Sequence, residues 1–142
     1  MENRRITKEE AIKRHRDMWN WIADEIEKCK YTVSITTMKD RYISEHDIER
    51  YAHVKNNCYC CEYACNEDLT VDCEKCPLVW PSEEYIKPNY QCEAEYTNEY
   101  GEERYGLWWE CKCKEYYKDP SAWITQADLA RKIANLPERE YV

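Results

Sequence analysis

Four cysteines, Cys58, Cys61, Cys73 and Cys76, form two pairs with two residues inside each pair and eleven between the pairs. Two thiolates three residues apart on a tight turn can reach one ion at about 2.3 Å, and a second such turn completes a tetrahedron. The pattern C-x2-C-x11-C-x2-C is close to the spacing of a four-cysteine zinc site. An ion closed in by four sulfurs has no open position for water, so the expected Zn2+ is structural and the expected chemistry is scaffolding. Other residues compete for places in that shell. Cys60 can replace Cys58 or Cys61, Cys65 lies just beyond, and His53 lies shortly before. Cys92, Cys111 and Cys113 offer, with Cys65, a second all-thiolate site; the alternative is that they are small buried apolar groups.

The same residues do not spell a catalytic motif. Zinc deaminases combine H-x-E with P-C-x-x-C. Here the histidines read His15-Arg16-Asp17, His46-Asp47-Ile48 and His53-Val54-Lys55, and the proline follows Cys76. The metalloprotease pattern H-E-x-x-H is absent. With only two glycines, Gly101 and Gly106, the chain lacks the phosphate-cradling loops and the nucleophile elbow that depend on glycine backbone freedom. A Cys–His nucleophile needs only a thiolate beside a base, but most of these thiols are better explained as ligands. The carboxylates read as a solvated face. The expectation is a non-enzymatic protein.

The elements that must position the cysteines are mainly helical. Residues 7 to 30 predict the strongest helix, with Thr7 as N-cap and Glu9 and Glu10 in the first turn. Ala11, His15, Met18, Trp19, Ile22, Ile26 and Cys29 recur at three- and four-residue steps, which predicts one buried face. Tyr31 to Thr36 is β-branched, a strand or the helix exit, and a weaker helix is expected from about Lys39 to Ser44. Residues 46 to 57 fit helix and strand equally, and Cys61 to Cys65 can start a short helix. Pro77, Pro81 and Pro88 predict an irregular loop over residues 77 to 90. The alternation from Trp108 to Cys113 predicts a half-buried strand. Asp119 as N-cap and Pro120 in the first helical position open a last helix, which Pro137 closes.

At 142 residues the chain is expected to form one domain. Ten cysteines is heavy usage, and an even count fits a secreted disulfide protein. Two features argue instead for intracellular zinc: the opening Met1 to Glu10 has no apolar run of a signal peptide, and six of the ten cysteines crowd between positions 58 and 76. No apolar run approaches the ~20 residues of a membrane span. The expected location is the cytoplasm.

Charge points to the kind of partner. The net charge of −8 disfavours nonspecific nucleic-acid binding. From Glu83 to Glu103 seven acids face one base, a net of −6, whereas residues 4 to 16 carry +4. The acidic stretch is also rich in tyrosine, and Glu93, Glu95, Tyr96, Tyr100, Glu102 and Glu103 are the candidate partner-binding residues. The basic first helix with Trp19 and Trp21 supports an alternative, a nucleic-acid-associated zinc module. Acids around the cysteines oppose it: Glu62, Glu67, Asp68, Asp72 and Glu74 face Lys75 alone.

The run Asn57 to Ala64 followed by Cys73 to Trp80 resembles small, uncharacterised cysteine-rich proteins of phages and prophages of Gram-positive bacteria. Leu129 to Arg139 looks like their C-terminal helix and His15 to Ile22 like their first. The match covers about half the chain in pieces; the resemblance implies phage origin and a metal knuckle, and no activity. By analogy with small phage accessory proteins, the partner is expected to be a host or anti-phage defence protein in the bacterial cytoplasm, with a homo-oligomer also open. The expected fold is a helix-dominated α+β single domain. Long N- and C-terminal helices pack around a four-cysteine zinc knuckle: a helical part over 1–57, the knuckle over 58–80, an acidic tyrosine-rich loop with a strand over 81–118, and the last helix over 119–137.

Overall fold

The computed structural model describes residues 6–50, 58–65, 70–86 and 91–140. The fold is helix-dominated with a small two-stranded sheet. Helix α1 runs Lys8–Cys29, α2 Ile35–His46, α3 Tyr59–Tyr63, α4 Leu107–Cys113 and α5 Ala122–Ala134; strands β1 (Glu95–Thr97) and β2 (Glu103–Tyr105) form an antiparallel hairpin. No helix among the described residues is long and apolar enough to cross a membrane.

Helix α1 starts where its capping chemistry demands. Thr7 is extended, and its hydroxyl accepts the Glu10 amide at 3.2 Å, satisfying one of the helix's orphan donors. Lys30 ends the helix in the left-handed region (φ 56°), its amide reaching the Ile26 carbonyl at 2.8 Å. The buried face comprises Ala11, Ile12, His15, Met18, Trp19, Ile22, Ala23 and Ile26. Cys29, expected on that face, is exposed. The packed stripe ends one turn before the helix does.

Helix α5 is the main partner of α1. Ala127, Leu129, Ala130, Ile133 and Ala134 are buried. Arg131 braces the pair from outside, donating to Asn20 (3.2 Å), Asp24 (2.6 Å) and Glu27 (3.0 Å) of α1. The helix begins later than expected. Asp119 caps a turn, accepting the Ser121 amide (2.9 Å) and hydroxyl (2.8 Å), and Ser121 rather than Asp119 is the N-cap.

The expected strand from Trp108 to Cys113 is helix α4. Gly106 decides the difference. A Cβ there would lie 2.2 Å from the Cys92 backbone, so the chain passes Cys92 at a distance only glycine permits. The Trp108 and Trp109 amides then donate to the Cys92 carbonyl at 3.0 and 3.3 Å. Leu107, Trp108 and Cys111 turn inward at helical steps. Buried Gln126 of α5 ties this region to the turn before α2: its amide donates to the carbonyls of Val33 (2.9 Å) and Cys111 (3.3 Å) and accepts the Val33 N–H (2.8 Å).

Of the loop expected over residues 77 to 90, residues 77 to 86 are irregular apart from a 3-10 turn over Pro81–Glu84, and 87–90 lie outside the described residues. The tail after α5 returns to this loop. The Val79 amide donates to the Pro137 carbonyl and the Arg139 amide to the Pro77 carbonyl, each at 2.8 Å.

Candidate metal centre

Helix α3 is five residues long, too short to stand alone. Tertiary contacts place it against α1. Tyr59 is fully buried and donates its hydroxyl to Asp47 at 2.9 Å, and Asp47 also pairs with Arg14 at 2.8 Å. Cys58 is the N-cap, its sulfur accepting the Cys61 amide at 3.3 Å. Cys60 faces the interior, 1% exposed, with its sulfur 3.6 Å from Nδ1 of His15.

The second cysteine pair sits on a 3-10 turn over Cys73–Lys75. Its geometry is secured from elsewhere in the chain. Gln91 donates to the Cys73 carbonyl at 3.2 Å. Arg139 donates to the carbonyls of Cys76 (2.8 Å) and Leu78 (3.2 Å) and also pairs with Glu83. These ties present buried Cys76 to the same interior space as α3.

Four sulfurs form a connected network there. Cys60 hydrogen bonds to Cys58 and to Cys76, and Cys61 hydrogen bonds to Cys58. The sulfur pattern separates two kinds of thiol. Donation from Cys60 and Cys61, aided by Lys39, holds Cys58 far below the usual thiol range. Donation from Cys60, with the Leu78 backbone and the Trp80 side chain, lowers Cys76 against the opposing effect of burial. Cys60 and Cys61, as donors to these neighbours, are pushed up. Burial also raises Cys92, which the negative Cys58 nearby raises further.

Two residues that sequence reasoning did not assign to a site belong to this environment: His15, read as part of an apolar face, and Lys39, read only as the start of a helix. His15 is 1% exposed, and burial lowers its pKa, so its ring is neutral at pH 7. Lys39 of α2, 5% exposed, lies with its ammonium 5.1 Å from the Trp108 ring centroid and favours a charged Cys58. For His15 the available signal was a polar residue standing on an otherwise apolar helical face.

The expected ligands are brought together in part. Cys58, Cys61 and Cys76 join the network, Cys60 links them, and half-buried Cys73 begins the turn that carries Cys76. Cys65 pairs through its backbone with Val71. Buried Cys111 donates its thiol to the Gln126 carbonyl at 3.6 Å, and Cys113 ends α4, half-buried. His53 lies outside the described residues. The donor chemistry suits a soft dication, since thiolates and imidazole are the usual zinc ligands. Among the described residues, however, no group of three or more His, Cys, Asp or Glu side chains is arranged to hold a metal ion.

The candidate partner-binding residues gather on and beside the hairpin. Glu95, Tyr96 and Glu103 lie in its strands and Tyr100 and Glu102 at its turn, while Glu93 is half-buried in the preceding turn. Asn98 shapes the turn by accepting the Tyr100 and Glu102 amides, each at 3.0 Å, and Gly101 takes the positive φ of 76°. Tyr96 stacks on Tyr85 at 5.2 Å, whereas Tyr100 is 78% exposed. No family model, curated protein or solved structure matches this chain.

Proposed function

We propose that this chain is a non-enzymatic interaction protein, stabilised by one structural Zn2+ in the cysteine network, which offers its acidic tyrosine hairpin to a basic protein partner. What supports the metal reading is the spacing of the two C-x2-C pairs, with Cys58 capping α3 beside buried Cys60 and buried Cys76 closing the second turn. Thiols crowded together in an interior are the usual donors of a structural zinc. The hairpin supports the docking role. Its strands are mostly exposed, and an isolated two-stranded ribbon has little stability of its own. It presents Glu95, Glu99, Glu102 and Glu103 with exposed Tyr100, a combination that suits a cationic surface with a pocket for an aromatic ring. The phage-like cysteine run supports a host or anti-phage defence protein as that partner, met in the bacterial cytoplasm.

The nucleic-acid reading draws less support. Cations in the first turns of helix α1 already have protein partners: Lys13 pairs with Asp17, Arg16 reaches Leu136 and Glu138, and Lys8 reaches the Arg139 carbonyl. Native mass spectrometry of reduced protein, with and without chelator, tests the metal, with one zinc per chain expected. Capture of a partner by the wild type and its loss with Glu102→Lys/Glu103→Lys tests the hairpin. Metal-free folded protein or disulfides within the network overturn the zinc, and equal capture by both proteins overturns the hairpin.

A further inference from the structure

Helix α4 runs directly into a 3-10 turn over Lys114–Tyr116, and its two sides have different fates. Leu107, Trp108 and Cys111 pack against the core. Trp109, Lys112 and Tyr116 follow at steps of three and four residues, which places them on one outer side. The Lys112 ammonium lies 5.3 Å from the Trp109 ring centroid and 5.7 Å from that of Tyr116. The Lys114 ammonium lies 4.2 Å from the Tyr117 ring. Tyr116 and Tyr117 are 68% and 55% exposed.

The local charge runs against that of the whole chain. Residues 104 to 118 carry Arg104, Lys112, Lys114 and Lys118 against Glu110 and Glu115, a net of +2 in a chain of net −8. Both acids are engaged. Glu110 accepts the Tyr105 amide at 3.4 Å and lies 3.9 Å from Arg104, and Glu115 accepts the Ile35 amide at 3.3 Å. Among the described residues no carboxylate forms an ion pair with Lys112, Lys114 or Lys118. Two of these lysines rest on ring faces instead.

The ligand must satisfy rings and cations together. A base stacked on an exposed ring is held more strongly than a lysine on the same face. The displaced ammonium is then left beside the strand, where a phosphate can take it. An acidic peptide offers half of this, because its carboxylates pair with lysines but are repelled by the negative ring faces. Duplex bases are already stacked on one another and offer the rings no free face.

We propose that the outer side of α4 and the turn after it bind single-stranded nucleic acid. Bases stack on Trp109, Tyr116 and Tyr117, and phosphates meet Lys112, Lys114 and Lys118. This track is separate from the start of α1, where Lys8, Lys13 and Arg16 have protein partners. The inference needs neither the zinc nor the hairpin's partner. The hairpin acids Glu95, Glu99, Glu102 and Glu103 come just before α4 in the chain and turn phosphate away from that end. Binding is therefore short in reach and sensitive to salt.

The test is fluorescence anisotropy on the full chain at low salt, with three labelled probes: an oligothymidylate of about 15 nucleotides, its duplex with oligoadenylate, and polyglutamate. Saturable binding of the single strand, tighter than of either competitor, is expected. Tyr116→Ala and Tyr117→Ala should each weaken it by about 5-fold or more. Lys112→Gln/Lys114→Gln should lower the slope of log affinity against log salt by about 1.4. Absence of single-strand binding, or duplex bound as tightly, overturns the proposal. Polyglutamate bound more tightly assigns the face to an acidic protein and overturns it too. So does single-strand binding that both tyrosine variants retain in full. The three wild-type measurements decide the matter even if a variant fails to fold.

Discussion

Helices α1 and α5 and the segment from Cys58 to Trp80 are held in place by opposite means. The helical pair is largely self-specified: a cap opens α1, apolar residues recur at helical steps, and Trp19, Met18, Ile22, Ile26 and Ile133 are all 2% exposed or less. The cysteine segment has a five-residue helix and a three-residue turn, neither able to persist alone. Its anchors are remote in sequence: Tyr59 to Asp47, Cys60 to His15, Gln91 to the Cys73 carbonyl, and Arg139 to the Cys76 and Leu78 carbonyls. One region is secured by pattern and the other by individual ties, so the two should fail independently.

Removing the proposed zinc should separate them most sharply. A structural zinc contributes on the order of 10 kcal/mol to a small fold. Chelation of the reduced protein should therefore speed amide exchange over Cys58–Trp80 strongly while the centres of α1 and α5 stay protected. Equal loss of protection in both regions would show that they form one cooperative unit. The converse break is Trp19→Ala, which removes a side chain 2% exposed at the centre of the helical pair. A cost of about 3–5 kcal/mol is expected, read as a fall in the midpoint of chemical denaturation.

Arg139 tests the ties themselves. Its side chain donates to two carbonyls of the Cys76 loop and pairs with Glu83, with 19% of the side chain exposed. Arg139→Gln should cost about 1–3 kcal/mol, because Glu83 and the carbonyls lose a charged donor. The diagnostic outcome is local. Alkylation of Cys76 in metal-free protein should accelerate, while α1 amide exchange is unchanged.

The same division explains what could be read from the sequence. Helix α1 was legible because Thr7, Glu9, Glu10 and the apolar steps all act within a few residues of one another. The two C-x2-C pairs were legible as thiol chemistry for the same local reason. The contact between Cys60 and His15 was not, since it depends on α3 docking against α1, 45 residues apart in sequence. Nor was α4, whose alternation of large and small residues fits a strand until the approach of Gly106 to Cys92 is known. The start of α5 was misplaced because Asp119 spends its carboxylate on Ser121 within a turn instead of on the first turn of the helix.

The smallest effect expected is that of Lys13→Ala, and it sharpens the functional side of the comparison. Lys13 pairs with Asp17 one turn on at 2.6 Å, with the two side chains 76% and 49% exposed. An exposed pair at this spacing contributes at most about 0.5 kcal/mol. Stability should barely move. The residue also lines a concavity of about 360 Å³ with Lys8, Arg16, Glu9, Asp17 and Glu138. A phosphate backbone entering there would meet three carboxylates beside the three cations. If the groove nevertheless bound nucleic acid, losing Lys13 would lower the salt dependence of binding by about one counterion. No change in retention on heparin or DNA is expected, because Asp17 already occupies the position a phosphate would take.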